Sequence, residues 1–193
     1  NYAGYKNPWL IRAQSFGFFS GGPLTHFNHN SSKVIYNKIN KSNGITLSKD
    51  RKLLFVSHIG ALGIEVFRVS DEDRYKFTRI HTLPIQSMSD NLNIDPDTGD
   101  LYAAAFVSLT EVENYMNNPK RSEGTKCSFK VLRIRAKEDK SEDIGYRFDI
   151  STVLEHNGDA LSMATVAAPS SSNNKLLIGS ILDNGILSCK LNY

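Results

Sequence analysis

No apolar run in this chain approaches the roughly 18–20 residues that a bilayer-spanning helix requires, which excludes a transmembrane helix. No run of lysine and arginine alternates with aromatic residues, and the net charge of +3 is small, so nothing points to nucleic acid. Cysteine is scarce. Cys127 and Cys189 could pair with each other, could both be free, or could each pair with something outside the chain. An initiating Met and a signal peptide are also lacking: the chain begins at Asn1, as a mature, processed or truncated product would. What is there is ordinary. With 40% hydrophobic, 10% aromatic and 22% charged residues, the 193 positions describe a soluble globular protein, long enough for one domain with a substantial core.

Pro8, Gly17, Gly21, Gly22 and Pro23 punctuate residues 1–32, which read as an irregular lead-in. Beyond them, short runs rich in Val, Ile, Leu, Phe and Tyr recur between turn residues. They fall at 33–37, 43–48, 52–58, 62–69, 76–82, 91–95, 101–106, 129–135, 145–150, 163–168, 175–181 and 185–191. The fold class is therefore all-β. One helix is expected near 111–117, because Thr110-Glu111-Val112-Glu113 has the form of a capping box and Pro119 follows as a stop.

The strands repeat. In the stretch from Ser89 to Tyr102, an Asp90-Asn91 pair precedes an alternating strand, a Pro96-Asp97-Thr98-Gly99 turn and a more apolar strand. On its own this is a hairpin with an Asx turn in front. But Asn43-Gly44-Ile45, the turn Ser48-Lys49-Asp50 and Leu53-Leu54-Phe55-Val56 lay over it, and Ser162–Ala167 with Lys175–Gly179 makes a third copy. The spacing is 47 residues from Asn43 to Asp90 and 72 from Asp90 to Ser162, the excess matching the helix and the charged loop Lys137–Asp143. A period near 40–50 residues with about four strands each signals a β-propeller. From Asn43 the strands fall into sets of four, four and three, with 33–37 left over; three blades cannot close a ring and leave bare edges. The expectation is one part of a single propeller domain, with blades at about 43–82, 90–150 and 162–191. Asp and Asn opening neighbouring inner strands are the oxygen ligands that a hard cation such as Ca²⁺ takes.

These motifs resemble the paraoxonase/arylesterase family. The signatures are Asn43-Gly44-Ile45 with Ser48-Lys49-Asp50, then Asp90-Asn91 before Asp95-Pro96-Asp97-Thr98-Gly99-Asp100-Leu101, then Lys175-Leu176-Leu177-Ile178-Gly179 and Cys189. They run in order from about residue 20 to the end of the chain. Asn-Gly-Ile is shared with gluconolactonase and strictosidine synthase-like propellers; the Asp-Asn pair is more particular, since sugar lactonases usually carry Asp-Gly there. The resemblance implies a six-bladed propeller with calcium in its tunnel that hydrolyses lactones and aryl esters. It places Asn43, Asp90 and Asn91 on calcium ligands, and Phe106, Ile181 and Leu182 at the substrate pocket, where Phe106 stands in place of a histidine. No catalytic general base is implied in this chain, because none of His26, His29, His58, His81 or His156 falls on the family's histidine positions. Cys189 matches a cysteine that the family bonds to one near the N-terminus, so its partner, like the remaining calcium carboxylates, is expected in an N-terminal half of the same propeller.

The expected function is thus part of a calcium-dependent lactonase or arylesterase, inactive without that N-terminal half. The alternative is a catalytically inactive calcium-binding propeller serving as a binding or structural protein. Asn30-Ser31-Ser32 and Asn40-Lys41-Ser42 are glycosylation acceptors; with the implied disulfide they point to a secreted protein.

Overall fold

The computed structural model describes residues 23–39, 41–73, 75–118 and 124–191. These residues form an all-β structure of four antiparallel sheets with one short helix. A hairpin pairs β1 (Leu24–Asn28) with β2 (Ser31–Tyr36). The first four-stranded sheet holds β3 (Ser42–Leu47), β4 (Leu53–His58), β5 (Gly63–Val69) and β6 (Phe77–Pro84). The second holds β7 (Met88–Ile94), β8 (Leu101–Phe106), β9 (Phe129–Glu138) and β10 (Tyr146–His156). A third has only β11 (Val166–Ser170), β12 (Lys175–Gly179) and β13 (Ile186–Lys190). Strand order follows chain order in each, so every sheet is an up-and-down meander, and the grouping of four, four and three matches the repeat.

The sheets stack face against face. Leu53, Phe55, Ile64 and Val66 of the first sheet meet Leu101, Ala103, Leu132 and Ile134 of the second. The opposite face of the second, through Tyr102, Ala104, Phe129 and Val131, meets Ala167, Leu176 and Ile178 of the third. That is why β4 and β8 read as near-continuous apolar runs rather than as alternation: both are buried on both faces along their length. The hairpin covers part of the first sheet's outer face, with Leu24 and Tyr36 against Leu54, Val56 and Phe67.

Several expected boundaries shift. Residues 24–28, within the stretch expected to be irregular, form β1, because the turn at His29 and Asn30 lets them fold back on β2. β7 begins at Met88, and β10 runs on to His156 as an edge strand carrying a bulge between Thr152 and Leu154. Residues 163–165 stay outside β11, since Met163 takes a left-handed φ of 53° that interrupts any strand. The helix α1 spans Leu109–Asn117, and its cap is Ser108, whose Oγ accepts from the Glu111 amide at 3.3 Å, rather than Thr110. Pro119, Asn40 and most of the lead-in lie outside the described residues.

Candidate metal centre

Asn43-Gly44 and Asp90-Asn91 occupy matching irregularities in the innermost strands of the first two sheets. On β3 the pairing skips from Ser42–His58 to Ile45–Val56, so Asn43 and Gly44 together face the single residue Ser57. On β7 it skips from Ser89–Ala105 to Leu92–Ala103, so Asp90 and Asn91 face Ala104 alone. Both are β-bulges, which break the alternation of a strand and re-aim its side chains. Gly44 lets the two bulges nest. A Cβ there would fall 2.5 Å from the Asp90 carbonyl oxygen and 2.8 Å from the Asn91 Cα, contacts only glycine avoids. Beneath them, the buried Ser57 hydroxyl meets the Ser89 carbonyl and hydroxyl, each at 2.5 Å, tying the sheets at this end.

The third sheet closes on the same point. The Asn91 backbone amide and Nδ2 both donate to the Thr165 carbonyl, at 3.0 and 2.9 Å, just ahead of β11. Because a carbonyl only accepts, the Asn91 amide orientation is fixed, and its Oδ1 is left facing away from Thr165. The Asn43 side chain hydrogen-bonds the Asp90 carboxyl. Asn43 and the Asp90-Asn91 pair, which begins 47 residues later in sequence, therefore come together where three sheets meet.

Asp90 is the informative member. Its residue is 8% exposed and, among the described residues, no cation pairs with it. Burial pushes its pKa from 3.8 up to about 6, and the Asn43 hydrogen bond only partly offsets this. A buried carboxylate flanked by two amides, with no positive counter-charge, has the composition of an oxygen-only cation site. No cluster of three His, Cys, Asp or Glu stands ready to hold a metal among the described residues, so one carboxylate and two amides are what this region offers.

The expected pocket residues separate. Phe106 ends β8 and packs with Met163, Tyr115 and Cys127, with Leu182 and Met88 against them. Ile181, on the same loop as Leu182, is 73% exposed. Helix α1 sits beside this cluster with Val112 and Tyr115 turned inward. Its Glu111 carboxylate accepts from the Ser128 amide at 2.6 Å and hydroxyl at 2.5 Å, at the head of β9.

Histidines do not gather here. His58 is buried against Glu65, Nδ1 to Oε1 at 2.8 Å, and Glu65 also accepts from Arg79 at 2.6 Å and Thr82 at 3.0 Å. His156 stacks on Phe129, His81 on Phe148, and His26 meets Tyr75. Both cysteines are unbonded, so they do not pair with each other. Cys127 is buried, its thiol pushed up to about 11 by burial and by the Glu111 charge. Cys189 is half-buried on β13, whose outer edge has no partner strand among the described residues. Asn30 is exposed in the turn of the first hairpin.

Lys41 lies two positions ahead of Asn43 and was not singled out by sequence reasoning. It precedes β3 with a left-handed φ of 55°, and burial draws its ammonium below the usual lysine range, opposed by the Glu113 charge on α1.

The sequence profile of the Arylesterase family matches residues 19–191. Serum paraoxonase/lactonase 3 of Homo sapiens is 30% identical over 159 residues, covering 82% of this chain and 40% of that protein. Serum paraoxonase/arylesterase 2 of Homo sapiens is 27% identical over 188 residues, covering 97% of this chain and 48% of that protein. The chain thus spans less than half the length of these curated relatives. Among solved structures, a putative 6-phosphogluconolactonase from Bacteroides uniformis is similar in fold, with a TM-score of 0.51 at 12% identity over 87% of this chain and 43% of that one.

Proposed function

The chain belongs to the arylesterase family, that of the paraoxonases, and on that premise we propose that it forms part of a secreted, calcium-dependent hydrolase of lactones and aryl esters. The observation that carries the reading is the buried, uncompensated Asp90 carboxyl between Asn43 and Asn91 at the junction of three sheets. In this proposal those three side chains hold Ca²⁺ through oxygen. When bound, the ion supplies Lewis-acid polarisation of the ester carbonyl. The two nested bulges fix Asn43 and Asp90 in relation to each other, and the Thr165 carbonyl fixes Asn91, so the donors need no rearrangement to act together. Phe106 and Leu182, already in one apolar cluster, form the wall that receives the acyl or aryl group, with Ile181 on its rim.

Calcium takes six to eight oxygens, and three side chains leave most of that shell to be filled. We assign the remaining ligands and the general base to an N-terminal half of the same propeller, since relatives extend well beyond the matched region. That half would also complete the open edge of β13 and offer Cys189 its disulfide partner. The isolated chain is then inactive. A serum compartment in the relatives' names, and the exposed acceptor Asn30, favour a glycosylated extracellular protein.

The test is hydrolysis of phenyl acetate and of a γ- or δ-lactone by the complete protein, with and without EDTA. Turnover that EDTA abolishes supports the enzyme. No turnover in a protein that still binds calcium supports the inactive binding propeller instead, and turnover indifferent to EDTA contradicts the metal.

A further inference from the structure

Three asparagines in this chain precede glycine, in Asn43-Gly44, Asn157-Gly158 and Asn184-Gly185. Such a pair can react with itself, because no Cβ shields the glycine amide nitrogen from the asparagine side-chain carbonyl carbon. In a folded protein the rate depends on what surrounds the nucleophilic nitrogen, the carbonyl oxygen and the departing nitrogen.

At Asn157 each of these atoms has a partner. The Gly158 amide donates to His156 Nδ1 at 3.0 Å. That ring nitrogen is therefore an acceptor, so the imidazole is neutral, carries its proton on Nε2, and is placed to take the amide proton. Asn157 Oδ1 accepts from the Asp159 amide at 3.1 Å, and its Nδ2 donates to Asp159 Oδ2 at 2.6 Å. The first of these bonds sets an N–H donor where negative charge develops as the carbonyl carbon becomes tetrahedral. Lys126 pairs with the other Asp159 oxygen and anchors it.

The backbone is set as well. His156 ends β10, and its ring stacks on Phe129 with 5.1 Å between centroids. Gly158 is buried with a left-handed φ of 89°, and a Cβ there would fall 3.0 Å from the Cys127 amide nitrogen and from Ser162 Oγ. Only glycine fits. Asn157 itself is exposed, and the cavity it lines with Ser128, Lys130, Glu155 and His156 opens to water.

The other two pairs are built differently. Gly44 is clamped in the nested bulges, with the Asp90 carbonyl oxygen and the Leu92 amide closing on it, so ring closure has no room. Asn184 is exposed and Gly185 has open space around it, but no histidine stands beside them in sequence.

The geometry points to a modification site: Asn157 converts itself to aspartate and isoaspartate, with His156 as the base. The Gly158 nitrogen bonds to the Asn157 side-chain carbonyl carbon and gives its proton to His156 Nδ1. The carbon–Nδ2 bond then breaks, and the nitrogen leaves as ammonia with that proton. Water opens the resulting cyclic imide at either carbonyl. The product carries a new negative charge beside Asp159 and, as isoaspartate, an extra methylene in the backbone between β10 and β11. No metal or substrate takes part.

The experiment is incubation of the complete protein at neutral pH and physiological temperature, followed by peptide mapping with fragmentation that separates isoaspartate from aspartate. Folded parent should lose the Asn157 amide at least about tenfold faster than the Asn184 amide, a modest share of what a placed general base contributes. Asn43 should stay intact. In urea the Asn157 and Asn184 rates should converge. His156→Phe keeps a ring against Phe129 and removes the base, so Asn157 should slow to about the Asn184 rate while circular dichroism stays unchanged. Asn157 reacting no faster than Asn184 in the folded parent overturns the proposal, as does a folded His156→Phe protein that reacts as fast as the parent. Should His156→Phe fail to fold, the parent decides alone: an Asn157 rate that urea leaves unchanged overturns the proposal, and one that urea lowers to the Asn184 rate supports it.

Discussion

At the scale of single residues the account turns on Asp90. Its carboxyl has a raised pKa, about 6 against 3.8, so in the folded, calcium-free protein it keeps a proton that the unfolded chain has already released. Stability of the calcium-free form should therefore fall as pH rises through 3.8 toward 6, with the full penalty present above 6. At about 1.36 kcal/mol per pKa unit the penalty is of order 3 kcal/mol, most of which a bound cation would relieve. Asp90→Asn removes the charge and keeps the shape. Thermal unfolding in EDTA at pH 7.5 should show Asp90→Asn more stable than the parent, the difference vanishing near pH 4. In calcium the order should reverse, because only the parent gains. A variant less stable than the parent in EDTA at pH 7.5 would show that the carboxylate has a partner unrelated to a metal.

The elements explain how such a residue comes to point out of a strand. Two bulges at equivalent places in β3 and β7 nest through Gly44, which has no room for a methyl group against Asp90 and Asn91. Gly44→Ala should cost roughly 1–3 kcal/mol in urea unfolding, and because the bulges would part, it should weaken calcium binding as well. A loss of stability with unchanged calcium affinity would separate the nesting from the site. At this scale the sequence was legible where signals were local. Asn43-Gly44 and Asp90-Asn91 read as the openings of neighbouring inner strands and β4 and β8 as the more apolar strands, whereas the bulges inside β3 and β7 were not legible. β1 was missed because Leu24-Thr25-His26-Phe27-Asn28 is short, polar at three of its five positions without alternation, and follows a Gly-Pro cluster. The cap of α1 was misplaced by two residues because Ser108-Leu109-Thr110-Glu111 fits the capping pattern as well as Thr110-Glu111-Val112-Glu113 does.

For the whole molecule, three meanders pack face to face, and their innermost strands bring Asn43, Asp90 and Asn91 to one end of the stack. Repeats spaced along the sequence thus become neighbours around a common point, which is how a propeller builds a site from residues far apart in the chain. The grouping of strands was readable because each sheet is contiguous in sequence; the stacking of the sheets was implied only by the period. The most direct measurement is calcium titration of the complete protein by calorimetry, parent beside Asp90→Asn and Asn43→Ala. The account predicts that each substitution weakens calcium binding by at least about tenfold, roughly 1.4 kcal/mol, with Asp90→Asn the more severe. Unchanged calcium affinity in Asp90→Asn would contradict it.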